Sequence, residues 1–213
     1  MILLSALYTN ILFYSLMVIA LALLIFLYIY PSIKRYKESK HFNKFIYRKV
    51  YAIAMLNDYY LINNLPLYSE NDEEFAINID HILISNKFMY VIKDLYYKDV
   101  INGNKNDKVW LSYDKLGRTT EFKNPLMLNL IRCDRFSEAQ QIDRSYFISI
   151  VVVNNDIQMK NIDDISTSNS YICKKKDLKK LISKIEKRNV SNFNPEGLEK
   201  AVMKIAKDLG RKY

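Results

Sequence analysis

The first 33 residues, Met1 to Ile33, contain no Asp, Glu, Lys or Arg, and within them Ile11 to Tyr30 is almost continuously apolar. About 20 such residues wound as a helix rise roughly 30 Å, the thickness of a bilayer hydrocarbon core. A helix is the form in which one segment crosses lipid, because it satisfies its own backbone N–H and C=O groups. The pattern therefore predicts a transmembrane segment over residues 1–33, with the span at about 11–30. Tyr8, Tyr28 and Tyr30 fall toward its ends, where amphipathic rings favour the interface, and Pro31 is expected to end it. A secretory leader would carry a basic n-region and a small-residue cleavage site, and neither stands here.

Beyond the span the pattern changes to alternating and helical periods. Phe42, Ile46, Val50 and Ile53 recur at helical spacing and predict a helix over roughly 42–57. Asn63, Asn64 and Pro66 mark a turn or an irregular start to a strand, and residues 71–74 read as a polar loop. Phe75, Ile77 and Ile79 alternate and run into Ile82, Leu83 and Ile84. This predicts a strand with Asp80 near its middle, followed by a tight turn at Asn86-Lys87 and a second strand over 88–94. A third short strand begins at Val100. Asn124-Pro125 is an N-cap followed by a first helical residue, opening a helix to about Glu138. Residues 146–153 are a continuous β-branched run suited to a central strand. Helices over 176–187 and from Pro195 to Gly210 close the chain. The order is that of an α/β fold with a mixed sheet flanked by helices, not of repeated βαβ units.

Charge sets the expected topology. Residues 34–49 hold seven basic side chains against Glu38 alone, a net charge of +6, so residues 50–213 carry only +3 of the chain's +9. The positive-inside rule places everything after the span in the cytoplasm and the N-terminus outside. Most of the basic excess is thus explained by topology and anionic lipid headgroups, which weakens an argument for nucleic-acid binding from the pI of about 9.3 alone. The two cysteines, Cys133 and Cys173, form neither a disulfide framework nor a metal-ligand spacing and read as reduced thiols. Four glycines, at 103, 117, 197 and 210, supply no phosphate-cradling loop.

The stretch Ile79 to Gly103, then Trp110, then Asn124-Pro125, resembles the nuclease-related domain family, NERD, over about residues 46–186. Its most specific pieces are Ile79-Asp80-His81, the Tyr90-Val91-Ile92 strand, Gly103, Trp110 and Asn124-Pro125. The resemblance implies a restriction-endonuclease-like fold and metal-assisted phosphodiester hydrolysis, in which carboxylates from adjacent strands hold a divalent cation. A lysine two residues beyond the second carboxylate then shares its strand face. Asp80 matches the family's first metal carboxylate and is the one metal-ligand candidate. The second strand departs from the pattern, with Lys93 at the carboxylate position and Leu95 at the lysine position. No Asp or Glu occurs from His41 to Asn57 to supply an upstream carboxylate.

Two site readings follow. In one, Lys93 faces Asp80 as an ion pair and the site is disabled. In the other, a β-bulge re-aims Asp94 and Lys98 serves as the base, with Mg²⁺ or Mn²⁺ as cofactor; no cofactor is expected otherwise. His81 reads as a strand histidine facing a partner or solvent, with His41 the only other histidine. Lys174, Lys175, Lys176, Lys179, Lys180 and Lys184 form a basic helix surface, either a solvated face or a contact for phosphates of nucleic acid or lipid. The expected organisation is a span over 1–33, a basic linker over 34–45, a NERD-like domain over 46–190 and a C-terminal helix over 191–213 packed on it. The expected function is a single-pass, membrane-anchored, catalytically inactive domain binding a protein partner or nucleic acid at the cytoplasmic face. A metal-dependent nuclease with a rearranged site and a structural component of a membrane complex are the alternatives. Membrane lipids are expected to meet the N-terminal helix and the basic segment after it.

Overall fold

The computed structural model describes residues 2–69, 72–98, 100–114, 116–162 and 169–210, with side chains from 12–66 and 78–207 within those ranges. Tyr8 and the alternation of Phe75 and Ile77 concern side chains outside them. The chain divides into two units, Met1–His41 and Phe42–Tyr213.

The first unit is one helix, α1 (Ile2–Lys40), long and apolar enough to cross a membrane. Its described apolar side chains are exposed all round, which suits lipid. Pro31 does not end it. Proline removes one backbone donor and kinks or strains a helix, but the residues that follow are ordinary helix formers, and the helix runs through it to Lys40. The segment 34–40 is accordingly helical.

The second unit is built on a five-stranded sheet in the order β1-β2-β3-β7-β9. Its strands are β1 (Tyr60–Ser69), β2 (Asp72–Ile84), β3 (Met89–Leu95), β7 (Phe147–Val153) and β9 (Ser170–Lys174). β1, β2 and β3 pair antiparallel, whereas β3–β7 and β7–β9 pair parallel. A second sheet, ordered β6-β5-β4-β8, holds β4 (Val100–Asn102), β5 (Val109–Tyr113), β6 (Thr119–Lys123) and β8 (Met159–Lys160). The helices are α2 (Phe42–Asn57), α3 (Pro125–Gln140), α4 (Leu178–Glu186) and α5 (Pro195–Gly210). This α/β arrangement of mixed sheets flanked by helices is consistent with the restriction-endonuclease-like architecture.

Strand alternation sorts the main sheet's side chains into two cores. Leu83, Tyr90 and Ile92 join Phe42, Ile46, Val50 and Ile53 of α2 and Leu178, Ile182 and Ile185 of α4. Ile82, Ile84, Met89 and Val91 join Cys133 and Phe136 of α3 and Ile205 of α5. β7 is buried at all seven residues, as its unbroken apolar run requires of a central strand. Asn124 caps α3 by accepting from the Leu126 and Met127 N–H groups.

Two expectations are corrected. Residues 60–69 form β1 despite Asn63, Asn64 and Pro66, because a two-stranded ladder with β2 reaches from Tyr60↔Ile84 to Ser69↔Asp72. An edge strand tolerates proline and a positive-φ Asn64. For the same reason residues 72–74 are strand and not loop, extended by their pairing partner. Short strands β6, β8 and β9 also carry no periodicity long enough to read.

Gly103 lies against the ring of Trp110, and a Cβ built there would stand 2.3 Å from Trp110 Cδ1. Trp110 is fully buried and donates its indole N–H to Asn104 O at 2.8 Å, so it has no room to retreat. Gly103→Ala is expected to lower stability by about 1–3 kcal/mol through overpacking. Urea denaturation of the full chain in detergent, followed by fluorescence of this single tryptophan, would read the shift.

Candidate functional site

Asp80 and His81 are neighbours on β2, and Lys93 and Asp94 are neighbours on β3, so alternation sends each pair to opposite faces of the sheet. On the α3 face, Lys93 Nζ donates to Asp80 Oδ1 at 2.8 Å. The other oxygen, Asp80 Oδ2, accepts from the Asp94 backbone N–H at 2.9 Å. The β2–β3 register runs from Ile84↔Met89 to His81↔Ile92, and this side-chain contact lies just beyond its end. Arg132 of α3 adds a second cation near Asp80 and donates Nε to Asn78 O at 3.3 Å. Burial pushes the Arg132 guanidinium below its usual range, with Asp80 opposing the shift.

The α2 face holds a second polar group. His81 Nε2 lies 3.0 Å from Asp94 Oδ2, and His81 Nδ1 lies 2.6 Å from Asn63 Oδ1 on β1. The His81 ring also meets the Tyr47 ring of α2, with centroids 6.3 Å apart. With Nδ1 donating to the Asn63 carbonyl, a single proton serves the Nε2···Oδ2 contact. The Asp94 side chain is wholly buried, and its Oδ1 has no hydrogen-bond partner. Burial raises the Asp94 carboxyl above its usual range and Asp80 adds to this, while the His81 hydrogen bond and charge and Lys93 pull the other way.

Asp94 is not re-aimed: its carboxylate meets His81 and not Lys93's partner Asp80, and β3 keeps an unbroken register with β7 from Met89↔Phe147 to Leu95↔Val153. Lys98 lies exposed beyond the strand with no hydrogen bond or ion pair among the described residues. The fold brings Asp80 and Lys93 together with the Asp94 backbone N–H, and keeps the Asp94 carboxylate and Lys98 out of that group. Sequence reasoning missed Arg132 and Asn63. Arg132 was within reach of it, since the buried residues Asn129, Cys133 and Phe136 of α3 put position 132 beside the sheet-facing stripe. Asn63 was hidden by its place in a strand that propensity disfavours.

The sequence pattern of the nuclease-related domain matches residues 37–154, more than half of the chain. The chain belongs to the NERD family. The match begins nine residues before the expected start at 46, at the end of α1, and ends just past β7. No curated protein and no solved structure matches.

The Asp80 carboxylate is not free for a divalent cation. A hard cation takes six or more oxygens, whereas both Asp80 oxygens already hold donors and an ammonium sits 2.8 Å from one of them. Among the described residues, no three His, Cys, Asp or Glu side chains cluster closely enough to hold a metal ion.

The basic residues gather elsewhere. Lys176, Lys179, Lys180 and Lys184 are exposed and Lys174 and Lys175 half-buried, at the end of β9 and along α4. Lys175 Nζ stands 5.4 Å from the Phe45 ring centroid of α2, and Lys49 of α2 donates to Lys176 O at 3.1 Å. The α2 and α4 cations therefore share one side of the domain. Cys133 and Cys173 are buried thiols, both pushed up to about 12 by burial, and burial leaves them inert.

The raised Asp94 carboxyl gives stability a pH dependence. The fold prefers the neutral acid, so this contribution is fully present below the usual carboxylate value, about pH 4, and is lost as pH rises through the raised one. Asp94→Asn keeps a neutral partner for His81 Nε2. The urea midpoint of the native chain is expected to fall relative to that variant as pH rises from about 4 to 7; parallel profiles would contradict this reading.

Proposed function

We propose that this NERD domain is held at the cytoplasmic face of a membrane by α1 and binds a protein partner or nucleic acid there without cleaving phosphodiester bonds. The observation that carries the reading is the engagement of Asp80. Its carboxylate accepts from Lys93 Nζ and from the Asp94 N–H, and Lys93 stands where the family places a second carboxylate. An ammonium at that position repels a divalent cation, so the charge that would activate water is replaced by a fixed ion pair. The +6 segment after the apolar run supports the cytoplasmic orientation through the positive-inside rule.

Asp94 offers no second route to hydrolysis. Its carboxyl is buried against His81, out of reach of a phosphate held at Asp80 on the opposite face. The ion pair has a structural role instead, since it neutralises a carboxylate that would otherwise be desolvated and unpaired.

The test is a cleavage assay on the full chain in detergent, with single- and double-stranded DNA and RNA and with Mg²⁺ or Mn²⁺. No cleavage is expected, and calorimetry is expected to record no Mg²⁺ or Mn²⁺ binding that Asp80→Ala removes. Cleavage that needs the metal and disappears in Asp80→Ala would overturn the proposal. The Lys93→Glu/Leu95→Lys variant, which rebuilds the family pattern, is expected to bind Mn²⁺ more tightly than the native chain.

A further inference from the structure

The outward face of α2 has an unusual make-up for a helix on a soluble domain. Phe42, Ile46, Val50, Ile53 and Ala54 point into the core. On the opposite side, Lys44, Arg48, Tyr51 and Met55 follow one another at spacings of four, three and four, which stacks them in a single stripe. Leu56 lies about a quarter turn from Met55, in the neighbouring row of Phe45 and Lys49. Tyr51 is 48 % exposed, Met55 66 % and Leu56 70 %, so the C-terminal half of the stripe shows apolar surface to solvent. No acidic residue occurs in α2. Phe45 and Lys49, about a quarter turn round α2 from the stripe, meet Lys175 and Lys176, so the positive field continues around that flank.

We infer that the outward stripe of α2 docks on an anionic lipid bilayer, with Lys44, Arg48 and Lys176 against headgroup phosphates and Tyr51, Met55 and Leu56 in the interfacial layer. This deepens the proposed function and rests on its membrane anchoring, because it names lipid as what the domain's basic side meets. Three observations select lipid. Charge complementarity requires an anionic partner. The exposed Met and Leu require a partner with an apolar layer beneath its charges, which is the profile of an interfacial helix and not of a nucleic-acid backbone. Covalent connection supplies the proximity: only His41 separates α2 from α1, the helix apolar enough to cross a membrane. Tyrosine is favoured where headgroups meet acyl chains, and lysine and arginine stems cover apolar surface while their charges stay in water. Docking would hold the domain against the surface by a second, charge-dependent contact in addition to the span.

The test uses the full chain in nanodiscs of phosphatidylcholine alone or mixed with phosphatidylserine. A spin label is attached at Met55→Cys, and Cys133 and Cys173 stay unlabelled because they are buried. Collision with an aqueous nickel chelate and with oxygen reports depth. The label is expected to lose contact with the chelate and gain contact with oxygen in the phosphatidylserine discs. Lys44→Glu/Arg48→Glu/Lys176→Glu, three exposed positions, is expected to abolish that protection. A label at Met203→Cys, on α5 and 60 % exposed, should stay wet in both lipids. Equal chelate contact at Met55 in the two lipids overturns the inference. So does protection that arises only when RNA or DNA is added to phosphatidylcholine discs, which would assign the stripe to nucleic acid. Alkaline carbonate extraction of the same chain from vesicles separates the two readings. A chain released by carbonate overturns the anchoring and the docking together, whereas a retained chain with a wet Met55 overturns the docking alone.

Discussion

A carboxylate withdrawn from water costs several kcal/mol unless its oxygens find partners, and Asp80 meets that requirement in a way that shapes everything around it. One oxygen takes the Lys93 ammonium and the other the Asp94 N–H. The second contact needs β3 to lie alongside β2 just past the end of their register at His81↔Ile92. The first needs Lys93 on the α3 face, which fixes Asp94 on the other. From that parity follow the burial of Asp94 against His81, the use of Asn63 on β1 to hold the far side of the imidazole, and the placing of the Asp94 carboxylate on the face away from Asp80.

The two faces differ in what they can do. On the α3 face the charges Asp80, Lys93 and Arg132 come from three elements and neutralise one another in part. On the α2 face a buried acid and a histidine share one hydrogen bond beneath Tyr47. The first group has its anion engaged by two donors, and the second has its carboxyl buried against an imidazole. The exposed cations and apolar side chains lie elsewhere, on α2 and along α4.

Much of this was legible in the residues. The apolar helix α1, α2, the β2–β3 hairpin, the cap at Asn124, the central strand β7 and the last two helices all rest on long periodic runs or on strong local signals, which tertiary context rarely reverses. The family was legible in Asp80, Gly103, Trp110 and Asn124-Pro125, and Gly103 earned its place because its missing Cβ leaves room for the indole. The pairing of Lys93 with Asp80 followed from period-2 alternation once two adjacent strands were assumed. The failures were equally physical. β1 contains Asn63, Asn64 and Pro66, which disfavour strand locally, and it forms because β2 supplies a partner along its length. Pro31 signalled an end that the helix does not take.

The sequence by itself determined the apolar helix, the segregation of charge after it, and the parity that puts residues 93 and 94 on opposite faces, because each depends only on chain-local period and composition. Tertiary structure alone decided that β7 lies parallel beside β3, that Arg132 reaches the Asp80 face, that Asn63 meets His81, and that Lys175 folds over Phe45. Those contacts join residues 18 to 130 positions apart. No local pattern encodes which distant segment will supply the partner, since that choice is made by burying all the apolar faces at once.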